Sequence, residues 1–169
     1  MTGGGVAPVD LTVNGEPLTL LAGPGATLLD LLRSRAQLTG SKQGCNSGVC
    51  GVCTVLVDGK TARACLMLAA DCAGRTVVTI EGLDDDPHAA VLGEEMAKAG
   101  AVQCGYCTPG IVVALTDLFR RTAVPPDAAA VRHWLGGNIC RCTGYVSIVE
   151  AAVRAGQRSV GADIEARAP

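Results

Sequence analysis

The chain has 169 residues, 49% of them apolar and only 2% aromatic, with 14 basic and 16 acidic side chains for a formal charge of −2. That length holds one ordinary domain or two small ones around a core packed from Leu, Val, Ile and Ala rather than from rings. The balanced charge offers no footprint for nucleic acid or an anionic membrane, and the apolar runs fall far short of the roughly 20 residues a spanning helix needs.

The Gly-rich stretch Met1–Pro8 has neither a basic segment nor an apolar run of the signal-peptide kind, so residues 1–9 are expected to be a flexible N-terminus and the protein cytoplasmic. Asp10–Val13 and Pro17–Leu20 flank Asn14-Gly15, a dipeptide suited to a type I′ hairpin. Ala26–Arg35 carries Leu28, Leu29, Leu31 and Leu32, spacing that predicts a short helix capped near Thr27. A Gly-punctuated loop, Gly44–Cys53, then holds Cys45, Cys50 and Cys53 in the spacing Cys-x4-Cys-x2-Cys, the plant-type ferredoxin pattern. Thr54–Val57 and Thr61–Leu66 flank Asp58-Gly59, a second hairpin signal. A two-residue turn there pairs Val57 with Lys60 and sets Ala64 opposite Cys53, which returns Cys65 to the other three thiols. Thr76–Ile80 reads as a further strand.

Beyond Asp84-Asp85-Asp86-Pro87 the hydrophobic period changes from two to about 3.6. Four helices are expected: Pro87–Ala99 with Asp86 as cap and Gly100 at its end; one capped by Thr108 with Pro109 at its first position; Asp127–Leu135; and Tyr145–Gln157. Cys104 and Cys107 fall just before the second of these, and Cys140 and Cys142 just before the fourth. The chain therefore divides into 10–83, rich in strands, and 84–157, helical, with a tail 158–169.

Nine cysteines in a reducing compartment are poor candidates for disulfides, and eight of them form two groups of four. A [2Fe–2S] cluster needs four thiolates, two on each iron, and amide N–H groups around its sulfurs. Gly44, Gly48 and Gly51 permit such a nest of amides in the first loop, and helix N-termini serve the same purpose in the second half. Structural zinc is the rival reading. Three thiols in a single short loop disfavour it for the first group, whereas Cys104/Cys107 with Cys140/Cys142, taken alone, suits a zinc clamp equally. Cys72 reads as a small buried hydrophobe. Tyr106 and Tyr145 read as shields beside thiols, and His88 and His133 as surface or core residues. No phosphate loop, dinucleotide fingerprint or nucleophile–base constellation is present, so no catalytic residue is assigned.

The segments Lys42–Cys45, Gly51–Val55, Gln103–Gly110 and Gly136–Tyr145, together with Cys65, resemble the small iron–sulfur subunit of the xanthine dehydrogenase, or molybdenum hydroxylase, family, in the bacterial form where it is a separate polypeptide. The resemblance covers about Asp10 to Gly156 and implies an α+β chain: an N-terminal β-grasp, ferredoxin-like domain followed by a four-helix [2Fe–2S]-binding domain. It implies Cys45, Cys50, Cys53 and Cys65 as ligands of the plant-type cluster, and Cys104, Cys107, Cys140 and Cys142 as ligands of the helical-domain cluster. Gln103 would contact a molybdopterin, with Cys142 the ligand nearest to it. The implied partners are a large molybdopterin subunit, carrying the cofactor in its cytosine dinucleotide form, and a medium FAD subunit. Together they make a heterotrimer, itself open to dimerisation, with neither nucleic acid nor membrane as partner. Electrons would leave the pterin through the helical-domain cluster and then the plant-type cluster to the flavin. Asn46, Ser47 and Val52 depart from the residues common in the family, and the tail 158–169, open to disorder, has no counterpart there. Two other functions fit the composition: a free-standing ferredoxin-type carrier and a zinc-stapled interaction module.

Overall fold

The computed structural model describes residues 5–167, with side chains as far as Val160. Strand β1, Ala7–Val13, and strand β2, Glu16–Ala22, pair antiparallel from Ala7↔Ala22 to Val13↔Glu16. Asn14 and Gly15 make the type I′ turn between them, with φ of 52° and 87°. Val9, Leu11 and Val13 point into the core while Asp10 faces water, the period-two pattern of a sheet covered on one face. Ala7–Val9, expected to be flexible, are thus part of a strand; the same expectation for Met1–Gly4 lies outside the described residues.

Helix α1, Leu28–Ser34, is started by a capping box. The Asp30 N–H donates to Thr27 Oγ1 at 3.1 Å and the Thr27 N–H donates to Asp30 Oδ2 at 3.0 Å. Its four leucines are all buried against the sheet. Strand β3, Thr54–Val57, turns through Asp58 and Gly59 into β4, Lys60–Arg63, with Val57 opposite Lys60 as expected. Strand β5, Thr76–Val78, enters between β1, to which it is parallel, and β3, to which it is antiparallel. The sheet order is β2-β1-β5-β3-β4, a mixed sheet with one helix laid across it, as in a β-grasp.

Two strands are shorter than expected, and in both cases another segment captures the chain. After Arg63 the residues Ala64–Leu66 form a 3-10 turn, because the Leu28 N–H at the start of α1 takes the Met67 carbonyl at 2.8 Å and the Ala69 N–H takes Ala26 O at 2.8 Å. After Val78 the Thr79 N–H is taken by Asn14 Oδ1 at 2.8 Å.

The second half holds α2, Pro87–Lys98; α3, Thr108–Arg121; α4, Ala128–Trp134; and α5, Val146–Arg167. Asp86 and Asp127 cap α2 and α4 by accepting from Ala89 N and Ala130 N, and Gly100 follows α2 at φ 59°. Helix α3 starts one residue earlier than expected: its cap is Cys107, and Thr108 already belongs to the helix. Every residue from Gly110 to Phe119 is buried, which makes α3 the central rod of the domain. Helix α5 does not stop at Gln157. Its extension is tied to α2, since Arg158 donates to Glu94 Oε2 at 3.0 Å and to Glu95 Oε1 at 2.7 Å, beside the Arg154–Glu95 bond at 2.9 Å. The expected disorder of the tail therefore fails at Arg158–Val160, the helix runs to Arg167, and Ala168 and Pro169 lie outside the described residues.

Two apolar cores result, one under the sheet and one among the helices. They meet at β3, which is buried on both faces: Val55 and Val57 belong to the sheet core and Leu56 to the helical core.

Candidate metal centres

The loop before β3 is closed by the Lys42 N–H to Val52 O bond at 3.0 Å and the Thr54 N–H to Gly51 O bond at 3.1 Å. Within it Asn46, Gly48 and Gly51 take φ of 52°, 77° and 71°, left-handed values that turn successive amides inward. The Ser47 and Cys50 N–H groups both donate to Cys45 Sγ at 3.4 Å. Hydrogen bonding from Ser47, and then from Cys50, brings this exposed thiol down to about 5. A Cβ on Gly44 would stand 2.7 Å from Cys50 Sγ and 2.9 Å from Val52 Cγ2, so any larger residue would have to displace those side chains. Cys53 and Cys65 are buried side by side at the end of the β3–β4 hairpin away from its turn, with Ala64 N bonded to Cys53 O at 3.3 Å. Burial pushes the Cys53 thiol up to about 11, and the Cys65 side chain adds to the effect.

The other four thiols gather at the N-terminal ends of α3 and α5. The Cys142 thiol donates to Cys104 Sγ at 3.5 Å. Accordingly Cys142 is raised by that donation, while Cys104 is lowered by the Tyr106 N–H and by Cys142. Thr143 Oγ1 donates to Cys140 Sγ at 3.2 Å; burial opposes ionisation of Cys140, but Thr143 outweighs it and the thiol is lowered. Burial, with Cys140 beside it, pushes Cys107 up to about 12. Tyr145, at φ 69°, accepts from the Cys140 N–H at 2.8 Å and donates to Asn138 O at 3.0 Å. It is a brace for the thiol loop, a stronger role than the shield expected of it.

All nine cysteines are free thiols. Among the described residues, no three His, Cys, Asp or Glu side chains are arranged to hold a single metal ion. The thiols are drawn together in pairs, Cys53 with Cys65 and Cys104 with Cys142. A two-iron rhomb asks for pairs of this kind, two thiolates per iron. Amide donors on Cys45 Sγ and a hydroxyl on Cys140 Sγ suit a group carrying negative charge on sulfur. The buried Cys53 and the half-buried Cys107, both held above the usual thiol range, would release their protons on binding metal.

Gln103 is exposed next to Cys104, on the surface where Cys142 is also exposed. Cys72 is fully buried in the sheet core, and its thiol donates to Leu68 O at 3.4 Å. His88 is buried with its ring edge-on to Phe119 at 6.1 Å.

The seam between the two cores holds residues that sequence reasoning passed over. The Ile139 N–H donates to Cys50 O at 2.8 Å, joining the two thiol-bearing loops directly. Arg63, on β4, donates to Gly137 O at 2.7 Å and to Thr54 Oγ1 at 2.5 Å. Asn138, only 3% exposed, donates to Gly51 O and Gly110 O, both at 3.1 Å. Tyr106 reaches across to Gln43 O at 2.6 Å. Glycine at 51 and at 110 is a condition of this fit, since a Cβ there would stand 2.2 Å from Gly137 O or 2.4 Å from Gly51 O. Asn138 sits between a Gly pair and a cysteine, a context that reads as an ordinary turn; its burial has no local signal.

Two family models match, one described as a 2Fe-2S iron–sulfur cluster binding domain over residues 11–90 and one as a [2Fe-2S] binding domain over residues 79–153. The chain is 42% identical to the nicotinate dehydrogenase small FeS subunit of Eubacterium barkeri, over 86% of this chain and 92% of that one. It is 43% identical to the xanthine dehydrogenase iron–sulfur-binding subunit of Escherichia coli, over 86% and 91%. Among solved structures it superposes on a chain of quinoline 2-oxidoreductase from Pseudomonas putida with a TM-score of 0.81 at 36% identity, covering 91% of this chain and 98% of that one.

Proposed function

The chain belongs to the family of small iron–sulfur subunits of xanthine-dehydrogenase-type oxidoreductases, and on that premise we propose that it is the two-cluster electron relay of a molybdenum hydroxylase. Its share of the work is electron transfer, and it is one subunit of a multi-subunit oxidoreductase. Two [2Fe–2S] clusters, each able to take up one electron, would link a molybdopterin centre on a large subunit to a flavin on a medium one.

The residues assigned to the first cluster are Cys45, Cys50, Cys53 and Cys65, in the unit 10–83; those of the second are Cys104, Cys107, Cys140 and Cys142, in the unit 84–157. Ser47 and Cys50 orient and charge-stabilise Cys45 through their amides. The Thr143 hydroxyl charge-stabilises Cys140 Sγ, and the Tyr145 hydroxyl orients the Cys140 loop by accepting its N–H. Gln103 and Cys142, exposed together, are assigned to the pterin side, and the exposed Cys45 loop, ringed by exposed Val49 and Leu66, to the flavin side. The cytosine dinucleotide form of the pterin, a heterotrimer and a cytoplasmic location complete the reading. Among the described residues no helix is long and apolar enough to cross a membrane.

The observation that carries this reading is the direct contact of two loops, each bearing thiols of a different group, at Ile139 and Cys50. Metal and sulfide analysis of anaerobically purified protein tests it: about four irons and matching acid-labile sulfide per chain are expected, together with two larger chains that co-purify with molybdenum and flavin. Zinc in their place would overturn the cluster assignment, and a brown protein that isolates alone would make it a diffusible carrier.

A further inference from the structure

We propose that Asn138 is a positioning residue that fixes the electronic coupling between the two thiol groups, with the Ile139 N–H···O=C Cys50 hydrogen bond as the bonded route between them; this rests on the two-cluster reading above. From Cys50 Sγ the route follows that residue's own side chain and carbonyl, crosses to the Ile139 amide at 2.8 Å, and continues along one peptide unit into Cys140 and its Sγ. Among the described residues, no other hydrogen bond in the seam joins the backbone of a cysteine in one group to the residue adjoining a cysteine in the other.

A single hydrogen bond between two loops is held only as well as the loops are. Here Asn138 supplies the hold. Its side-chain amide is buried among three acceptors on different elements: Gly51 O in the first thiol loop and Gly110 O in the first turn of α3, both at 3.1 Å, and Thr54 Oγ1 at the start of β3, at 3.3 Å. Its Oδ1 faces the Arg63 guanidinium at 3.5 Å, and Arg63 also holds Gly137 O. Carbonyls on one side and a guanidinium on the other orient the amide. Asn138, itself two residues before Cys140, therefore ties together the residue after Cys50 and the residue three beyond Cys107. It belongs to neither thiol group, and the family reading assigns it nothing.

The exchange it serves is a one-electron transfer in which the helical-domain centre is oxidised by one electron and the plant-type centre reduced by one, with no other reactant. Loss of the Asn138 amide would leave both thiol groups intact but release the Ile139–Cys50 contact. Two variants of the whole complex test this: Asn138→Ala, which removes the hold, and Ile139→Pro, which removes the N–H itself. Asn138, at φ −120° and ψ 104°, has extended backbone close to the region a residue before proline takes. Ile139 is 45% exposed, so little packing is lost.

The readouts are iron content, the spin–spin splitting between the two reduced centres in the spin-resonance spectrum, and the rate of intramolecular electron exchange after pulsed reduction. With iron content equal to wild type, both variants are expected to lose the splitting and slow the exchange. Wild-type splitting and exchange in either variant, with all irons present, overturns the proposal. An unsplit wild-type spectrum from a protein with only one iron pair would instead sink the two-cluster reading on which it stands.

Discussion

Gly93 and Gly110 both stand in helices, and replacing each by alanine should move stability in opposite directions. At Gly93, midway along α2, a Cβ meets nothing within 4 Å. Gly93→Ala should gain the usual helix preference for alanine, about 0.5–1 kcal/mol. At Gly110, in the first turn of α3, the same atom would lie 2.4 Å from Gly51 O and 3.2 Å from Val52 Cα. Both neighbours are backbone, so the seam must open by nearly 1 Å, an overpacking that costs about 1–3 kcal/mol. Displacing Gly51 O also strains its bonds from Thr54 Oγ1 and Asn138 Nδ2, at about 1 kcal/mol each. Set against at most about 1 kcal/mol of helix preference, the net loss is about 2–4 kcal/mol. For a chain of this size that corresponds to a fall in Tm of about 4–16 °C, against a rise of about 1–4 °C for Gly93→Ala. Thermal unfolding followed by far-UV circular dichroism at one scan rate measures both. If Gly110→Ala is as stabilising as Gly93→Ala, the two halves are not packed as described, and the inferences drawn from the seam fall with it.

Cys104→Ser should reduce iron from about four to about two per chain and leave one set of spin-resonance signals, because Cys53 and Cys65 belong to the sheet core and Cys107 and Cys140 to the helical core; loss of all iron would mean that the seam makes cluster assembly interdependent. Glu95 is 5% exposed, and Arg154, with Lys98 and Arg158, lowers its carboxyl from 4.5 to about 2. A carboxylate lowered in the folded state stabilises in full above its unfolded value and loses that contribution as pH falls through the folded one. Wild type should therefore unfold at higher temperature than Glu95→Gln above pH 4.5, with the gap closing as pH drops toward 2; a gap independent of pH across that range would show that the ion pairs do not hold α5 to α2.

Features that depend on neighbours in the chain were legible before any coordinates. Both type I′ turns follow from Asn14-Gly15 and Asp58-Gly59, and the register of β3 with β4 follows from the second of them. The caps at Thr27 and Asp86 follow from side chains that reach their own backbone within three residues. The grouping of eight cysteines is a matter of composition and spacing. Where the reading went astray, an interaction distant in sequence decided the outcome. Helix α5 outruns its apolar pattern because Arg158 meets Glu94 and Glu95 more than 60 residues away, and the strand after Val78 ends because Asn14 takes the Thr79 amide.

The amino-acid sequence by itself determined which elements form and which side chains can bind metal, since hydrophobic period, turn chemistry and thiol identity act over a few residues. Tertiary structure alone decided how the two thiol groups face each other. That arrangement rests on a strand buried on both sides, two glycines with no room for a Cβ and one buried amide, whose partners are brought together only when the sheet and the helices pack.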